Sequence, residues 1–367
     1  MEETARLNAM ARLLRRRIEL GGPISLAEYM ALTLTHPEHG YYQQAEPFGT
    51  AGDFITAPEI SQIFGELLGA WCGVVWETLG APGQILLVEL GPGRGTLMKD
   101  ALRAACKKDG FQEAVRLHLI ETSRRLRTQQ AENLREFSPV FHEHPSELPD
   151  GPILLLANEF FDALPIRQFE RAESGWRERL VTFESETTAF CFTLADVVTP
   201  DMQIPTRIRA APLGSIAEIS LPTLVFAHDI GERVRSFGGA ALILDYGASE
   251  TQAVATLQSV HKHGFQDPLT HPGKADLTAH VDFESMAEAA RAGGAYVTDS
   301  IPQGLLLERL GIGQRAEQLL ENANLVDKSI IRGACHRLID PEEMGTLFRA
   351  MAITQSNPIA LPGFHEG

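Results

Sequence analysis

Cations are in short supply in this chain: across 367 residues, 32 lysines and arginines face 48 aspartates and glutamates, for a formal net charge of −16. That balance repels nucleic-acid phosphate and anionic membranes, and it tolerates or attracts a cationic peptide. Cysteine is scarce as well. Cys72, Cys106, Cys191 and Cys335 lie far apart and form no Cys-x-x-Cys pair, so they read as free thiols in a reducing compartment and not as a disulfide frame or zinc site. No apolar run approaches the ~18 residues that would span a bilayer, and no membrane insertion is expected. Arg12, Arg15, Arg16 and Arg17 form a basic cluster of the transit-peptide kind, but Glu2, Glu3 and Glu19 flank it. It reads as a solvated helix face, and the cytoplasm is the expected location. A Gly-x-Ser-x-Gly elbow, a metal-ligand set and an internal repeat are all missing, so neither an elbow nucleophile nor a metal centre is expected. The hydrophobic content of 44% against 22% charged is that of a globular protein and excludes a mostly disordered one.

What is present is a change of rhythm near residue 84. The first eighty residues read as an N-terminal helical and lid segment. Ser25-Leu26-Ala27-Glu28 has capping-box spacing and predicts a short helix ending near His36-Pro37. A second helix is predicted from about Pro58-Glu59, on a stripe of Ile60, Phe64, Leu67, Leu68, Trp71, Val74, Val75 and Leu79. From residue 81 onward strands and helices alternate, which implies α/β architecture with a parallel sheet. The predicted strands are Gln84–Leu90, Val115–Ile120, Pro139–His142, Ile153–Ala157 and Ala240–Asp245, with another at Phe348–Thr354. An insertion at about 168–235 contains an antiparallel hairpin, read from the alternation of Val181, Phe183, Phe190, Phe192 and Leu194. A stretch at about 246–280 has little periodicity and reads as a long substrate loop.

Gly91-Pro92-Gly93-Arg94-Gly95 joins a buried strand to a helix, the position where such sheets bind nucleotide-type cofactors. Alone, it is equally a tight turn. The spacing Gly91, Gly93, Gly95 is not the Gly-x-Gly-x-x-Gly that favours dinucleotides. Glu89, two residues before the first glycine, suits the ammonium group of S-adenosylmethionine (SAM). Glu121 ends the second strand and suits both ribose hydroxyls. Glu147 and Leu148 follow the third strand, where a carboxylate and a backbone amide would meet adenine. Each acid alone is more often a surface charge. Their order at the ends of successive strands points to SAM.

Longer segments resemble the MidA-type family of SAM-dependent methyltransferases. They are His36-Pro-Glu-His-Gly-Tyr-Tyr42, Gly52–Glu66, Val88–Thr96, Asn158–Pro165, Asp245-Tyr246-Gly247 and Asp276–Phe283. The resemblance spans about residues 5–360. It implies a class I methyltransferase (Rossmann-like) doubly wound sheet with an N-terminal helical extension and the insertion. The family's eukaryotic members are mitochondrial complex I assembly factors identified as protein arginine methyltransferases. The resemblance therefore implies a protein substrate, in particular a complex I subunit, and this chain looks like a bacterial member.

Arginine as acceptor sets a chemical demand. A guanidinium is protonated at any ordinary pH and needs carboxylates to hold its fork. Glu159 and Asp162, just after the fourth strand, could form that clamp, and Asn158 could align the nucleophile through its side-chain carbonyl. Asn158 and Asp162 are equally common as turn formers and helix caps. His39 and Tyr41 could line a substrate lid or merely pack an aromatic loop. Asp53 and Glu59 are similarly divided, Glu59 between substrate binding and capping its helix. His280 and Asp282 read as loop-orienting residues. Two other functions fit the same residues: methylation of a small molecule at oxygen or nitrogen, and a SAM-binding assembly chaperone without catalysis.

Overall fold

Ile85–Leu90 is buried at all six positions because it lies mid-sheet, with parallel neighbours on both edges. Val115–Ile120 pairs on one side and Ile153–Asn158 on the other, so Glu89 lies opposite Leu119 and Leu156. The strand order is Tyr296–Val297, Phe348–Thr354, Gly239–Ala248, Ile153–Asn158, Ile85–Leu90, Val115–Ile120, Val140–His142. Gly239–Ala248 runs parallel to Ile153–Asn158, while Phe348–Thr354 runs antiparallel to Gly239–Ala248. This is the expected α/β sheet. The predicted bounds of Val115–Ile120 and Phe348–Thr354 hold to the residue.

This is a computed structural model describing residues 7–44, 56–261, 264–321, 323–355 and 359–364. Asp53 lies outside the described residues, as does all of the Gly52–Ile55 part of the Gly52–Glu66 signature. The chain divides into two units, one of residues 55–161, 225–249 and 283–367, the other of 1–54, 162–224 and 250–282.

The first unit holds the sheet and its main core. The helix expected from Pro58 is two helices, Ala57–Ile60 and Gln62–Thr78, broken at Ser61 in extended backbone (φ −157°, ψ 135°). Ser61 turns outward from the helical path so that its hydroxyl can accept from the Ile63 amide at 3.2 Å. The apolar stripe of Gln62–Thr78 is real, but glycines make its closest contact. A Cβ on Gly69 would stand 2.0 Å from the Ala101 carbonyl oxygen, and one on Gly65 2.7 Å from Asp100 Cβ. Gln62–Thr78 therefore packs backbone to backbone on Thr96–Ala105, the helix that follows the glycine turn. Glu66, buried at their side, accepts from Arg103 and Arg315, which lower its pKa despite the burial.

In the second unit the expected hairpin is part of a larger antiparallel sheet. Ile24–Ser25 and Arg167–Ala172 flank Gly175–Glu184 at successive registers, Ala189–Val198 pairs with its other edge, and Ile216–Ile219 pairs with Arg167–Ala172. The segment 246–280, read as a loop, contains a three-stranded sheet of Gln258–His261, Gly264–Gln266 and Asp276–Thr278. These strands are too short to show a period in sequence. Leu26–Thr35 is the predicted helix, with the Ser25 hydroxyl accepting from the Glu28 amide at 3.0 Å.

Candidate functional site

The glycine turn takes the shape its composition allows. Gly91, Gly93 and Gly95 have φ of 59°, 54° and 80°, in the left-handed region that costs other residues energy. Gly95 is the N-cap of Thr96–Ala105 and has no side chain to satisfy the first amides, which leaves them for a ligand. A second helix, Arg124–Asn133, staples the turn from behind. Gln130 Nε2 donates to the Gly93 carbonyl at 2.7 Å and Asn133 Nδ2 to the Arg94 carbonyl at 2.9 Å. Nothing in the sequence flagged Gln130 or Asn133, because a polar residue on a polar helix carries no sign of a distant partner.

Two acids stand beside this turn. Glu89 is 3% exposed, and its Oε2 accepts no hydrogen bond from the described residues. Burial, and then the neighbouring Glu121 carboxylate, push its pKa up to about 8. Glu121 is also buried. Its Oε1 accepts from the Ser123 amide at 2.7 Å and its Oε2 from Gln130 Nε2 at 3.1 Å, which partly offset the upward push of burial. Each Glu121 oxygen keeps lone-pair capacity beyond these bonds.

The expected adenine pair is rearranged. Glu147 ends a turn of 3-10 helix, Pro145–Glu147, with its Oε2 accepting from the Glu143 amide at 3.3 Å and 3.8 Å from His142 Nδ1. The Leu148 amide donates to the Pro145 carbonyl at 3.1 Å. The turn therefore already uses the amide assigned to the adenine ring, and Leu148 offers a buried apolar side chain instead. Beside this turn His118 Nδ1 and His142 Nε2 lie 2.8 Å apart. Burial, then His142 and Arg233, lower the His118 pKa to about 4, and burial lowers that of His142 as well.

At the end of Ile153–Asn158 the chain makes a strained corner. Glu159 sits at φ 50°, a conformation L residues rarely adopt. Its amide donates to the Leu244 carbonyl at 3.0 Å, and the next two amides, of Phe160 and Phe161, donate to Asp245 Oδ2 at 3.2 and 2.9 Å. Asp245, wholly buried, thus fixes the corner from the adjacent strand. The Asp245-Tyr246-Gly247 motif was visible in sequence, but its role was not. The corner carries Glu159, whose Oε1 accepts from the Ala57 amide at 3.1 Å and from Asn158 Nδ2 at 3.2 Å. Asn158 Oδ1 is buried and accepts no hydrogen bond from the described residues. Phe160 stands against the glycine turn, its ring 2.9 Å from where a Cβ on Gly91 would lie. Phe226 packs edge-on to Phe160, with centroids 5.4 Å apart.

Glu59 does not cap its own helix. Its Oε1 accepts from the Thr96 hydroxyl at 2.6 Å, and its Oε2 lies 3.4 Å from Arg94 Nη1, so it reaches the cofactor turn. The remaining candidates belong to the other unit. Asp162 is buried, and its carbonyl accepts from the Ala279 amide at 2.9 Å. Tyr41 is 1% exposed in that unit's core and meets Tyr42 edge-on, while His39 stacks on His36 at 5.2 Å. Among the described residues no group of three His, Cys, Asp or Glu is arranged to hold a metal ion, and no helix is long and apolar enough to cross a membrane.

Comparison with known proteins decides what this arrangement belongs to. Residues 67–300 match the profile of an S-adenosyl-L-methionine-dependent methyltransferase family. The mitochondrial protein arginine methyltransferase NDUFAF7 homolog of Drosophila melanogaster is 37% identical over 374 residues, covering 94% of this chain and 84% of the relative. The chain belongs to this methyltransferase family. The Homo sapiens protein arginine methyltransferase NDUFAF7, also mitochondrial, is 35% identical over 94% of this chain and 83% of its own length. A Burkholderia thailandensis protein solved with S-adenosyl-homocysteine bound superposes with a TM-score of 0.83 and 27% identity, covering 98% of this chain and 95% of that one. This methyltransferase uses SAM, and its residues fit that cofactor. The glycine turn lets the backbone approach, and Glu89 offers a buried oxygen that a cationic group would satisfy.

Proposed function

We propose that this methyltransferase transfers a methyl group from SAM to an arginine side chain of a protein. The observation that carries this reading is the Glu159 corner: a carboxylate in left-handed backbone at the end of a central strand, one residue from the Phe160 ring that abuts the cofactor turn. Such strain persists only where surrounding contacts impose it, and Asp245 and Leu244 impose it here. The arginine relatives support the choice of acceptor. A complex I subunit as the target rests on the resemblance to the MidA-type family, and cytoplasmic action on the reading of the Arg12–Arg17 cluster as a solvated helix face.

SAM supplies a methyl group on a sulfonium, whose departure leaves neutral sulfur. The chain's own part is to hold the acceptor nitrogen in line with that methyl and to exclude water. Glu159 would accept from the guanidinium fork, concentrating electron density on the nitrogen that attacks. Asn158 Oδ1 would accept from a guanidinium N–H, which satisfies its own buried lone pairs. With the methyl gained, the acceptor nitrogen must give up one proton, which Glu159, the carboxylate that holds the fork, would take and pass to solvent once the site opens. Phe160 and Phe226 give that step an apolar wall. Gly91, Gly93 and Gly95 would meet the methionine portion, Glu121 the ribose, and Glu147 with the Leu148 side chain the adenine.

Incubation with labelled SAM and bacterial lysate tests the acceptor. Label should enter a protein band and be recovered on arginine; label in a small molecule, or none at all, overturns the proposal. Glu159→Gln should lower kcat by roughly 30- to 1,000-fold, the equivalent of about 2–4 kcal/mol, with SAM affinity nearly unchanged. Wild-type turnover by that variant would remove Glu159 from the mechanism. Asp162→Asn, measured separately, tests the second carboxylate.

A further inference from the structure

The short helix Ala57–Ile60 is tied to two parts of the site at once. Thr56, its N-cap, makes no side-chain cap, and the Ala57 amide is satisfied instead by Glu159 Oε1 at 3.1 Å. On the other side, Glu59 takes the Thr96 hydroxyl at 2.6 Å and meets Arg94 at 3.4 Å. Arg94 lies within the glycine turn, and Thr96 opens the helix that leaves it. Ser61 interrupts the helical backbone before Gln62–Thr78, so Ala57–Ile60 is a helical segment of its own. One four-residue element thus joins the cofactor turn to the strained corner.

We infer that Glu59 is a positioning residue for methyl transfer, which carries the seating of the cofactor turn through Ala57–Ile60 to the orientation of the Glu159 carboxylate. The inference rests on the reading of Glu159 as the acceptor-binding group. Its physical basis is that the Ala57 amide keeps its aim at Glu159 only while its helix holds its orientation; Ala57 is anchored in the main core, and Glu59 supplies the polar contacts that fix how the helix is turned there. Released from Thr96 and Arg94, the helix carries the amide away from Glu159 Oε1. The carboxylate is then oriented by its remaining contacts, Asn158 Nδ2 among them, and an alignment error of about 1 Å is enough to cost rate. The cofactor turn is held independently by Gln130 and Asn133, so loss of Glu59 leaves it intact.

The test is a double-mutant cycle on the full chain, with single-turnover methyl transfer and calorimetric S-adenosyl-homocysteine affinity as readouts. Glu59→Gln should slow transfer about 10-fold while affinity stays within about 3-fold. Thr96→Val should behave the same way, and Thr96→Ser should restore the rate because it keeps the hydroxyl. Added to Glu159→Gln, the Glu59→Gln change should have no further effect, since both act through one carboxylate. Multiplied effects in the double variant overturn the inference, as does a Glu59→Gln variant that loses affinity in proportion to rate. If Glu159→Gln alone keeps full activity, the reading of Glu159 falls and the inference falls with it. If that variant is inactive and the cycle is multiplicative, only the inference falls.

Discussion

Glu89 shows how burial turns a cofactor contact into a pH-dependent one. In the ligand-free protein its pKa is raised to about 8 by burial and Glu121, against an ordinary 4.5. The unfolded chain therefore releases this proton first, and stability falls as pH rises from about 4.5 to about 8, by on the order of 5 kcal/mol. His118 acts in the opposite direction. Its pKa is lowered from 6.5 to about 4, so its contribution is present above about 6.5 and lost as pH falls through about 4. Denaturant titration of the ligand-free protein should find its highest stability between about pH 4.5 and 6.5, with Glu89→Gln removing the decline on the alkaline side. A bound cation would also ionise Glu89, so SAM binding at pH 7 should release close to one proton. Calorimetry in buffers of different ionisation enthalpy measures that release. A value near zero in the unsubstituted protein would show that Glu89 does not face the cation.

Among the helices, the contact between Gln62–Thr78 and Thr96–Ala105 decides the placement of the cofactor turn, since the second helix begins at the turn itself. Its closeness depends on Gly69, where any Cβ would lie 2.0 Å from the Ala101 carbonyl. Backbone cannot rotate aside as a side chain can, so Gly69→Leu must push the helices apart. Urea denaturation should show a loss of about 3 kcal/mol, the upper range for an overpacked core. S-adenosyl-homocysteine affinity should weaken as well, because the displaced helix moves the turn. Unchanged stability would mean that the two helices are not in backbone contact. The apolar stripe of the first helix was legible from its spacing. The glycine face was not, since glycine in a helical pattern reads as a weakness until its neighbour is known.

For the molecule as a whole, ligand linkage gives the broadest check. S-adenosyl-homocysteine at 100 times its dissociation constant should add about 2.7 kcal/mol to the stability of the cofactor-binding unit, and its thermal transition should rise accordingly. NAD should leave it unmoved. A larger shift with NAD would contradict the fit of Glu89 and the glycine spacing to a sulfonium cofactor. The two units each carry a core of their own, so the transition to follow is that of the unit with the parallel strands and the glycine turn.

The sequence alone determined the strands, read as Gln84–Leu90, Val115–Ile120, Ile153–Ala157 and Phe348–Thr354 and within a residue of those observed, the helix that Ser25 caps, the helix after Gly95, and the cofactor turn. All of these follow from local causes: apolar runs buried on both faces, a glycine triplet, a capping serine. The tertiary structure decided who meets whom. Glu59 could as well have capped its helix until Thr96, 37 positions away, supplied a hydroxyl. Leu148 could have offered its amide until Pro145 took it. Glu159 could be read only as a clamp candidate just after a strand; its left-handed backbone, its bond to Ala57 and the grip of Asp245 on the two residues after it involve segments 102 and 84–85 positions distant. A side chain's partner across such separations is set by how strands and helices pack, and no local pattern encodes it.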